Sequence, residues 1–178
     1  MQTVKILDRE FEISIKSTEI QERVKAIAKK INSDLKGKDV IFLGILNGSF
    51  MFASDLFKKI TLDCQITFLK VASYQGTMSS GTVKRLIGMN EDIKGKTVVI
   101  LEDIVDTGHT LDHIIRQLIG YEPSEIKIAT FLFKPDAYQK DFPIDYVGME
   151  IPNDFIVGYG LDYNGYGRNL EDIYSVVE

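Results

Sequence analysis

Cysteine is nearly absent: Cys64 is the only one in 178 residues. A lone cysteine excludes an intrachain disulfide and any zinc site built on a cysteine cluster, and it suits a reducing compartment. Long hydrophobic runs are missing too. The longest, such as Val40 to Leu46, fall far short of the ~20 residues that span a bilayer. Met1 to Glu12 mixes charges with isolated apolar residues and has no signal-peptide core. These absences point to a cytoplasmic protein with no membrane partner. Positive charge is not in excess: 21 Lys and Arg stand against 26 Asp and Glu, a net charge of −5. That argues against a nucleic-acid partner, since a phosphate backbone calls for a basic face. No Walker phosphate loop and no G-x-G-x-x-G occurs, which disfavours a nucleoside triphosphatase or a Rossmann dehydrogenase. Proline is scarce, with four in all, and no linker, internal repeat or low-complexity segment stands out. One domain over residues 1–178 is expected, large enough to bury roughly 70% of its unfolded surface without staples.

What is present reads as alternating strands and helices. Ile20, Val24, Ile27, Ala28 and Ile31 recur at helical intervals and predict a helix from about Ile20 to Leu35. Thr18 with Gln21 has capping-box spacing at its start, and Gly37 closes it. Val40 to Leu46 is a short apolar run rich in branched residues, the pattern of a buried strand. Asn47-Gly48-Ser49 breaks it, and Phe50 to Lys59 reads as a helix. Asp63 to Ser73 alternates as a second strand, with Cys64, Ile66 and Phe68 on one face. Gln75 to Thr82 is small and polar, the composition of a mobile loop. Thr97 to Leu101 is another apolar strand, followed by Glu102 and Asp103. A helix from His109 to Ile119, a strand from Glu125 to Phe133 and a strand from Tyr146 to Ile151 complete the series. The alternation predicts an α/β fold, a mostly parallel twisted sheet with helices on both faces. Ligands in such folds sit at the carboxyl ends of the strands. That directs attention to Asn47–Ser49, Glu102–Thr110 and Lys134.

The stretch VVILEDIVDTGHTL, Val98 to Leu111, carries the most chemistry. An apolar strand ends in two carboxylates, Glu102 and Asp103. Asp106 follows, and Thr107-Gly108-His109-Thr110 opens a helix. Gly108 permits a tight turn with uncovered N–H groups. The helix N-terminus adds partial positive charge, and Thr107 and Thr110 add hydroxyl donors, so the segment is a phosphate cradle. Two carboxylates beside a phosphate would repel it unless they hold something else. Sugar hydroxyls or a magnesium ion fit that place, so a phosphorylated sugar is the ligand class expected.

This segment resembles the phosphoribosyl-pyrophosphate motif of the type I phosphoribosyltransferases: four hydrophobic residues, two acidic, two hydrophobic, then D-T-G-x-T. LNGSFMFASDL (Leu46 to Leu56), SYQGTMSSG (Ser73 to Gly81), the Lys134 region and FIVGYGLDYNGYGRNL (Phe155 to Leu170) narrow the resemblance to the hypoxanthine(-guanine) phosphoribosyltransferases, over nearly the whole chain. The resemblance implies a small hood formed from the chain termini. It implies purine salvage: transfer of the 5-phosphoribosyl group from phosphoribosyl pyrophosphate to a 6-oxopurine base, with Mg2+. Glu102 and Asp103 would hold the ribose hydroxyls, directly or through magnesium. Asp106 would act as general acid/base at the imidazole edge of the purine. Amides and hydroxyls of Asp106, Thr107, Gly108, His109 and Thr110 would bind the 5′-phosphate. Lys134 would donate to the 6-oxo group, Phe155 would stack on the purine and Ile156 would touch it through its main chain. Asp162, beside the base, would bind a second magnesium. Leu46, Asn47 and Gly48 would form the pyrophosphate loop, Arg168 would reach the pyrophosphate, and Ser73 and Tyr74 would begin a loop that closes over the site. Family members are commonly dimers or tetramers, which implies a homodimer or homotetramer. One departure is Asn47, where many members carry a lysine; its side chain brings no positive charge, although the amides of Gly48 and Ser49 remain.

Blander readings stand beside these. Lys134 alone is an ordinary surface lysine, Asp162 suits the cap of a turn at Asn164–Gly165, and Asp106 suits a helix N-cap. Tyr159, Tyr163 and Tyr166 read as packing residues. His109 and His113, at i, i+4 spacing, lack a third ligand and read as surface residues. Two rivals to the main reading are a xanthine-preferring enzyme and a non-catalytic, nucleic-acid-binding regulator on the same fold. The net charge and the full set of Asp106, Lys134, Asp162 and Arg168 speak against the regulator.

Overall fold

A computed structural model describes residues 3–72, 84–87 and 91–177. Ser73, Tyr74 and the loop Gln75 to Thr82 lie outside the described residues. In chain order the elements are β1 (Thr3–Ile6), β2 (Arg9–Ile15), α1 (Ser17–Asp34), β3 (Val40–Leu46), α2 (Phe50–Phe57), β4 (Cys64–Ala72), β5 (Lys84–Ile87), β6 (Thr97–Val105), α3 (His109–Ile119), β7 (Glu125–Phe133), β8 (Tyr146–Glu150), β9 (Ile156–Val157) and β10 (Ile173–Val176).

Six strands form the main sheet in the order β5-β4-β3-β6-β7-β8. The ladders from β4 through β8 are parallel, and β5 joins the edge antiparallel. Strands buried on both faces need apolar residues at every position, and β3 meets that condition. Val40 and Phe42 face α1 and α2, while Ile41, Leu43 and Ile45 face α3. The period-2 geometry of a strand thus feeds two cores from one run. α1 covers its side with Ile20, Val24, Ile27, Ala28 and Ile31, all buried. Each buried Ile or Val contributes about 1.5–3 kcal/mol.

A second, antiparallel sheet in the order β1-β2-β10-β9 joins the two ends of the chain. Ile6, Phe11, Val157 and Tyr174 form its own small core. This is the expected hood.

α2 and β8 each end a residue or two short of expectation and β4 begins one residue late, and two larger differences have an identifiable cause. The capping box at Thr18 and Gln21 does not form. α1 begins at Ser17, its N-cap Lys16 makes no side-chain cap, and the Ser17 N–H donates instead to Asp172 Oδ1 at 2.6 Å. Gln21 turns away and donates to Asp55 Oδ2 at 2.6 Å. β6 runs on to Val105 rather than stopping at Leu101, because its ladder with β7 continues from Thr97↔Glu125 to Val105↔Phe133. Glu102 and Asp103 are therefore strand residues, not the start of a loop.

Candidate functional site

The carboxyl ends of β3, β6 and β7 converge, and the turn after β3 lies against the acidic end of β6. Leu46, Asn47 and Gly48 make that turn, and the Leu46–Asn47 peptide is cis. A Cβ placed on Gly48 would sit 1.8 Å from Asp103 Oδ2. Only a glycine lets the carboxylate approach the turn so closely. Ser49 is buried and donates from its hydroxyl to the Ile45 carbonyl at 2.7 Å, which ties the turn to its strand. Asn47 is exposed.

The two carboxylates have different surroundings. Glu102 is buried, and burial followed by the neighbouring charge of Asp103 holds its pKa well above the ordinary value. Burial likewise raises Asp103, to about 6. Main-chain N–H groups of Ile104 and Asp103 and the Arg168 guanidinium offset part of that rise, while Asp162 adds to it. Asp103 is thus the member of the pair that shares electrostatic space with Arg168 and Asp162. Arg168 Nη2 pairs with Asp162 Oδ1 at 2.6 Å, and Nη1 donates to the Gly160 carbonyl at 2.7 Å. Gly160 in turn abuts the Gly48 carbonyl, so the C-terminal loop, the turn after β3 and the end of β6 form one continuous contact.

Asp162 also accepts the Gly165 N–H at 2.6 Å, so the turn-capping reading of this residue holds. Among the described residues, Glu102, Asp103 and Asp162 are not gathered with other ligand-type side chains into a group of three or more that could hold a metal. His109 and His113 join no such group either; His113 Nε2 lies 2.8 Å from Gln117 Nε2.

Beyond β6 the chain enters the cradle. Gly108 is the N-cap of α3, with φ +82° and no side-chain cap bond. A Cβ there would meet Tyr138 at 2.6 Å and Lys140 at 2.8 Å, so both the backbone angle and the packing require glycine. Thr107 Oγ1 accepts the His109 N–H at 3.5 Å, and Thr110 is exposed in the first turn. Asp106 is not the N-cap. It lies half-exposed two residues earlier, with Oδ2 3.7 Å from Lys134 Nζ. The Lys134 side chain is only 11% exposed and also donates to the Asp154 carbonyl at 3.0 Å, which is unlike a free surface lysine.

Phe155 is 42% exposed. Its ring lies 5.7 Å from that of Tyr163, edge to face, and 6.3 Å from that of Phe11. Ile156 opens β9 and is buried. Of the three tyrosines, Tyr159 is buried and donates to Asp55 Oδ2 at 3.0 Å, while Tyr163 packs on rings. Tyr166 is 62% exposed, outside the core of this chain, and forms a backbone bridge with Tyr163. The sequence reading missed Asp154, Gly160 and the hood residues beside Phe155. Asp154 acts through its carbonyl, which leaves no side-chain signal. Arg9 and Phe11 lie far from Phe155 in the chain and meet it only in the hood.

The family model for the phosphoribosyl transferase domain matches residues 16–164. A hypoxanthine-guanine phosphoribosyltransferase of Aquifex aeolicus is 38% identical over 173 residues, covering 96% of this chain and 97% of that protein. A hypoxanthine phosphoribosyltransferase of Salmonella typhimurium is 38% identical over 170 residues, 93% of this chain and 95% of its own. A crystal structure of a hypoxanthine-guanine phosphoribosyltransferase from Bacillus anthracis superposes with a TM-score of 0.87 at 38% identity, covering 94% of this chain and 97% of that one.

Proposed function

This chain belongs to the phosphoribosyl transferase family, and from that membership we propose how its residues divide the reaction. The enzyme is a hypoxanthine(-guanine) phosphoribosyltransferase of purine salvage. It moves the 5-phosphoribosyl group from phosphoribosyl pyrophosphate to hypoxanthine, giving inosine monophosphate and pyrophosphate; guanine is the second base. The observation that carries the assignment of roles is the contact of Asp103 with Gly48, which joins the acidic strand end to the turn after β3.

Substitution at the anomeric carbon passes through an oxocarbenium-like state, with positive charge on the sugar and negative charge on departing pyrophosphate. Asp103 and Glu102 accept from the ribose hydroxyls. The cradle from Asp106 to Thr110 binds the 5′-phosphate through N–H groups and hydroxyls. The Leu46–Gly48 turn and Arg168 hold the pyrophosphate. Arg168 stabilises charge where it develops. Phe155 supports the base by stacking, Ile156 contacts it through the main chain, and Lys134 donates to the 6-oxo oxygen. Asp106, within ion-pair distance of Lys134, takes the proton that the base loses as the glycosidic bond forms. No covalent nucleophile is required.

The donor set suits Mg2+. The metal favours hard oxygen ligands and is commonly held by one or two carboxylates together with substrate phosphates. Asp103 and Asp162 repel one another, a charge excess that a cation relieves. Asp103 with Glu102 would hold it, and Asp162 would hold a second ion. When bound it supplies positive charge to the pyrophosphate oxygens. Asp162 must give up part of its bond to Arg168 to take part.

The unpaired Cys64 supports a cytoplasmic location, and no helix among the described residues is long and apolar enough to cross a membrane. A homodimer or homotetramer is the assembly proposed, on the family resemblance.

A spectrophotometric assay with donor and magnesium, run in parallel on hypoxanthine, guanine, xanthine and adenine, tests the assignment. Nucleotide is expected from the 6-oxo bases hypoxanthine and guanine. Adenine should fail, because its 6-amino group presents a donor to Lys134. A preference for xanthine would overturn the base assignment, and no product from any base would overturn the enzyme.

A further inference from the structure

The hood strand β2 begins at Arg9, and strand alternation puts Arg9 and Phe11 on the same face. Both meet the same pair of rings. The buried Phe11 ring lies 6.3 Å from that of Phe155 and 6.1 Å from that of Tyr163. The Arg9 guanidinium carbon lies 5.7 Å from the Phe155 centroid and 5.4 Å from the Tyr163 centroid. Phe155 and Tyr163 are themselves edge to face, 5.7 Å apart at 83°. The residue before Arg9 secures the pair from its polar end, for the Tyr163 hydroxyl donates to Asp8 Oδ1 at 2.9 Å. Arg9 forms no close ion pair with a carboxylate among the described residues; its charge also acts on the neighbouring Asp8 carboxylate and on the Tyr163 hydroxyl, which places it at the polar end of the same ring pair.

A half-exposed aromatic ring on a short connecting segment has freedom to turn, and a turning ring is a poor stacking platform. A planar guanidinium laid by the rings restrains them by cation–π attraction and by its own flat surface. We infer that Arg9 is a positioning residue of the base site, fixing the Phe155 ring on which the purine stacks. This rests on the reading of Phe155 as the stacking ring. It assigns the N-terminal hairpin a part in base affinity.

Arg9→Met keeps the reach of the side chain and removes the cation; Arg9→Lys restores a cation without the flat surface. Phe155→Leu and the double variant Arg9→Met with Phe155→Leu complete a cycle, which isolates a pairwise effect. Initial rates are measured with hypoxanthine varied at saturating donor, and with donor varied at saturating hypoxanthine. Arg9→Met should raise the KM for hypoxanthine roughly two- to fivefold, the scale of a cation–π contact at an exposed site, with donor KM and kcat unchanged. Arg9→Lys should recover part of the loss, and Arg9→Met should add nothing once Phe155 is leucine. An unchanged hypoxanthine KM in Arg9→Met, a parallel rise in both KM values, or an undiminished effect in the Phe155→Leu background would each overturn the inference while the base site stands. If Phe155→Leu itself leaves the hypoxanthine KM unchanged, the stacking assignment fails, and the role of Arg9 fails with it.

Discussion

Substituting alanine for Gly48 tests the contact on which the donor site depends. The new methyl group would lie 1.8 Å from Asp103 Oδ2 and 2.4 Å from its Cγ, roughly 1.5–2 Å inside comfortable contact. The obstacle is the end of a side chain, so the chain can fold if the carboxylate swings aside. That swing sacrifices the main-chain N–H groups of Ile104 and Asp103 that favour the charged carboxylate. Hydrogen bonds to charged groups are worth about 1.5–3 kcal/mol, which sets the expected destabilisation. At roughly 2–4 °C per kcal/mol for a chain of this size, Tm should fall by about 3–12 °C. The carboxylate also leaves the place where it would meet the ribose hydroxyls. A lost interaction of the same class corresponds to roughly 10- to 150-fold in donor KM. Hypoxanthine KM should change far less, since Lys134 and Phe155 are untouched. Thermal melts and initial rates with each substrate varied provide the measurements. A Gly48→Ala enzyme with wild-type donor KM and kcat would refute the reasoning, because it would show that the turn and Asp103 do not form one donor site.

Asp106→Asn should lower kcat by ~10²–10⁴-fold with little change in donor KM. Its melt should barely move, because α3 is capped by Gly108 and not by Asp106; normal turnover in a stopped assay would remove Asp106 from the chemistry. Asp103 has a folded-state pKa of about 6 against an ordinary 3.8, so between those values the folded chain keeps a proton that the unfolded chain has lost. Its contribution to stability therefore falls as pH rises from about 4 to about 6, by about 1–3 kcal/mol once solvent screening is allowed for. Denaturant unfolding of wild type and Asp103→Asn across that window should diverge by this amount, and a pH-independent difference would contradict the burial assigned to Asp103. Asp172→Ala removes the acceptor for the Ser17 N–H and should cost about 1 kcal/mol while leaving kcat and both KM values alone; an unaltered denaturation midpoint would show that α1 needs no such cap. Excess chelator should abolish nucleotide formation and added magnesium should restore it, whereas a full rate in chelator would exclude the metal.

The elements most legible in the sequence are those whose limits are set by their own residues. β3, α3 and β7 match expectation residue for residue. An apolar run bounded by Asn47-Gly48, a glycine N-cap at Gly108 and a strand ending at Lys134 all carry local signals. The start of α1 and the end of β6 are set from a distance. The start of α1 is held by Asp172, 155 residues away, and no local pattern at Thr18 and Gln21 could reveal a competitor for them. β6 outlasts its apolar stretch because β7 continues to pair with it, and a ladder is indifferent to whether its residues are carboxylates. At the site the motif around Asp103 was legible because one segment carries it. The environment of Lys134 was not, since it depends on a carbonyl 20 residues further along the chain. The restraint on Phe155 was hidden for the same reason, because Arg9 and Phe11 reach it only once the chain termini meet in the hood.

The acidic end of β6 illustrates why a fold of this kind keeps such residues despite their cost. Burial makes ionised Asp103 unfavourable, and burial with a like charge beside it does the same for Glu102. Either carboxylate would be better replaced if stability alone mattered, since the strand before them, Val98 to Leu101, is apolar and buried. A group that donates to Asp103, or a cation near it, stabilises the charged form and draws its pKa down. By linkage, the pH range in which Asp103 lowers stability is the range in which a ligand able to satisfy it gains affinity. The cost of Asp103 in stability and the preference for a polyhydroxylated, anionic donor therefore have a single origin. Gly48 is its steric counterpart, because the carboxylate can be held at the turn only where a side chain is missing.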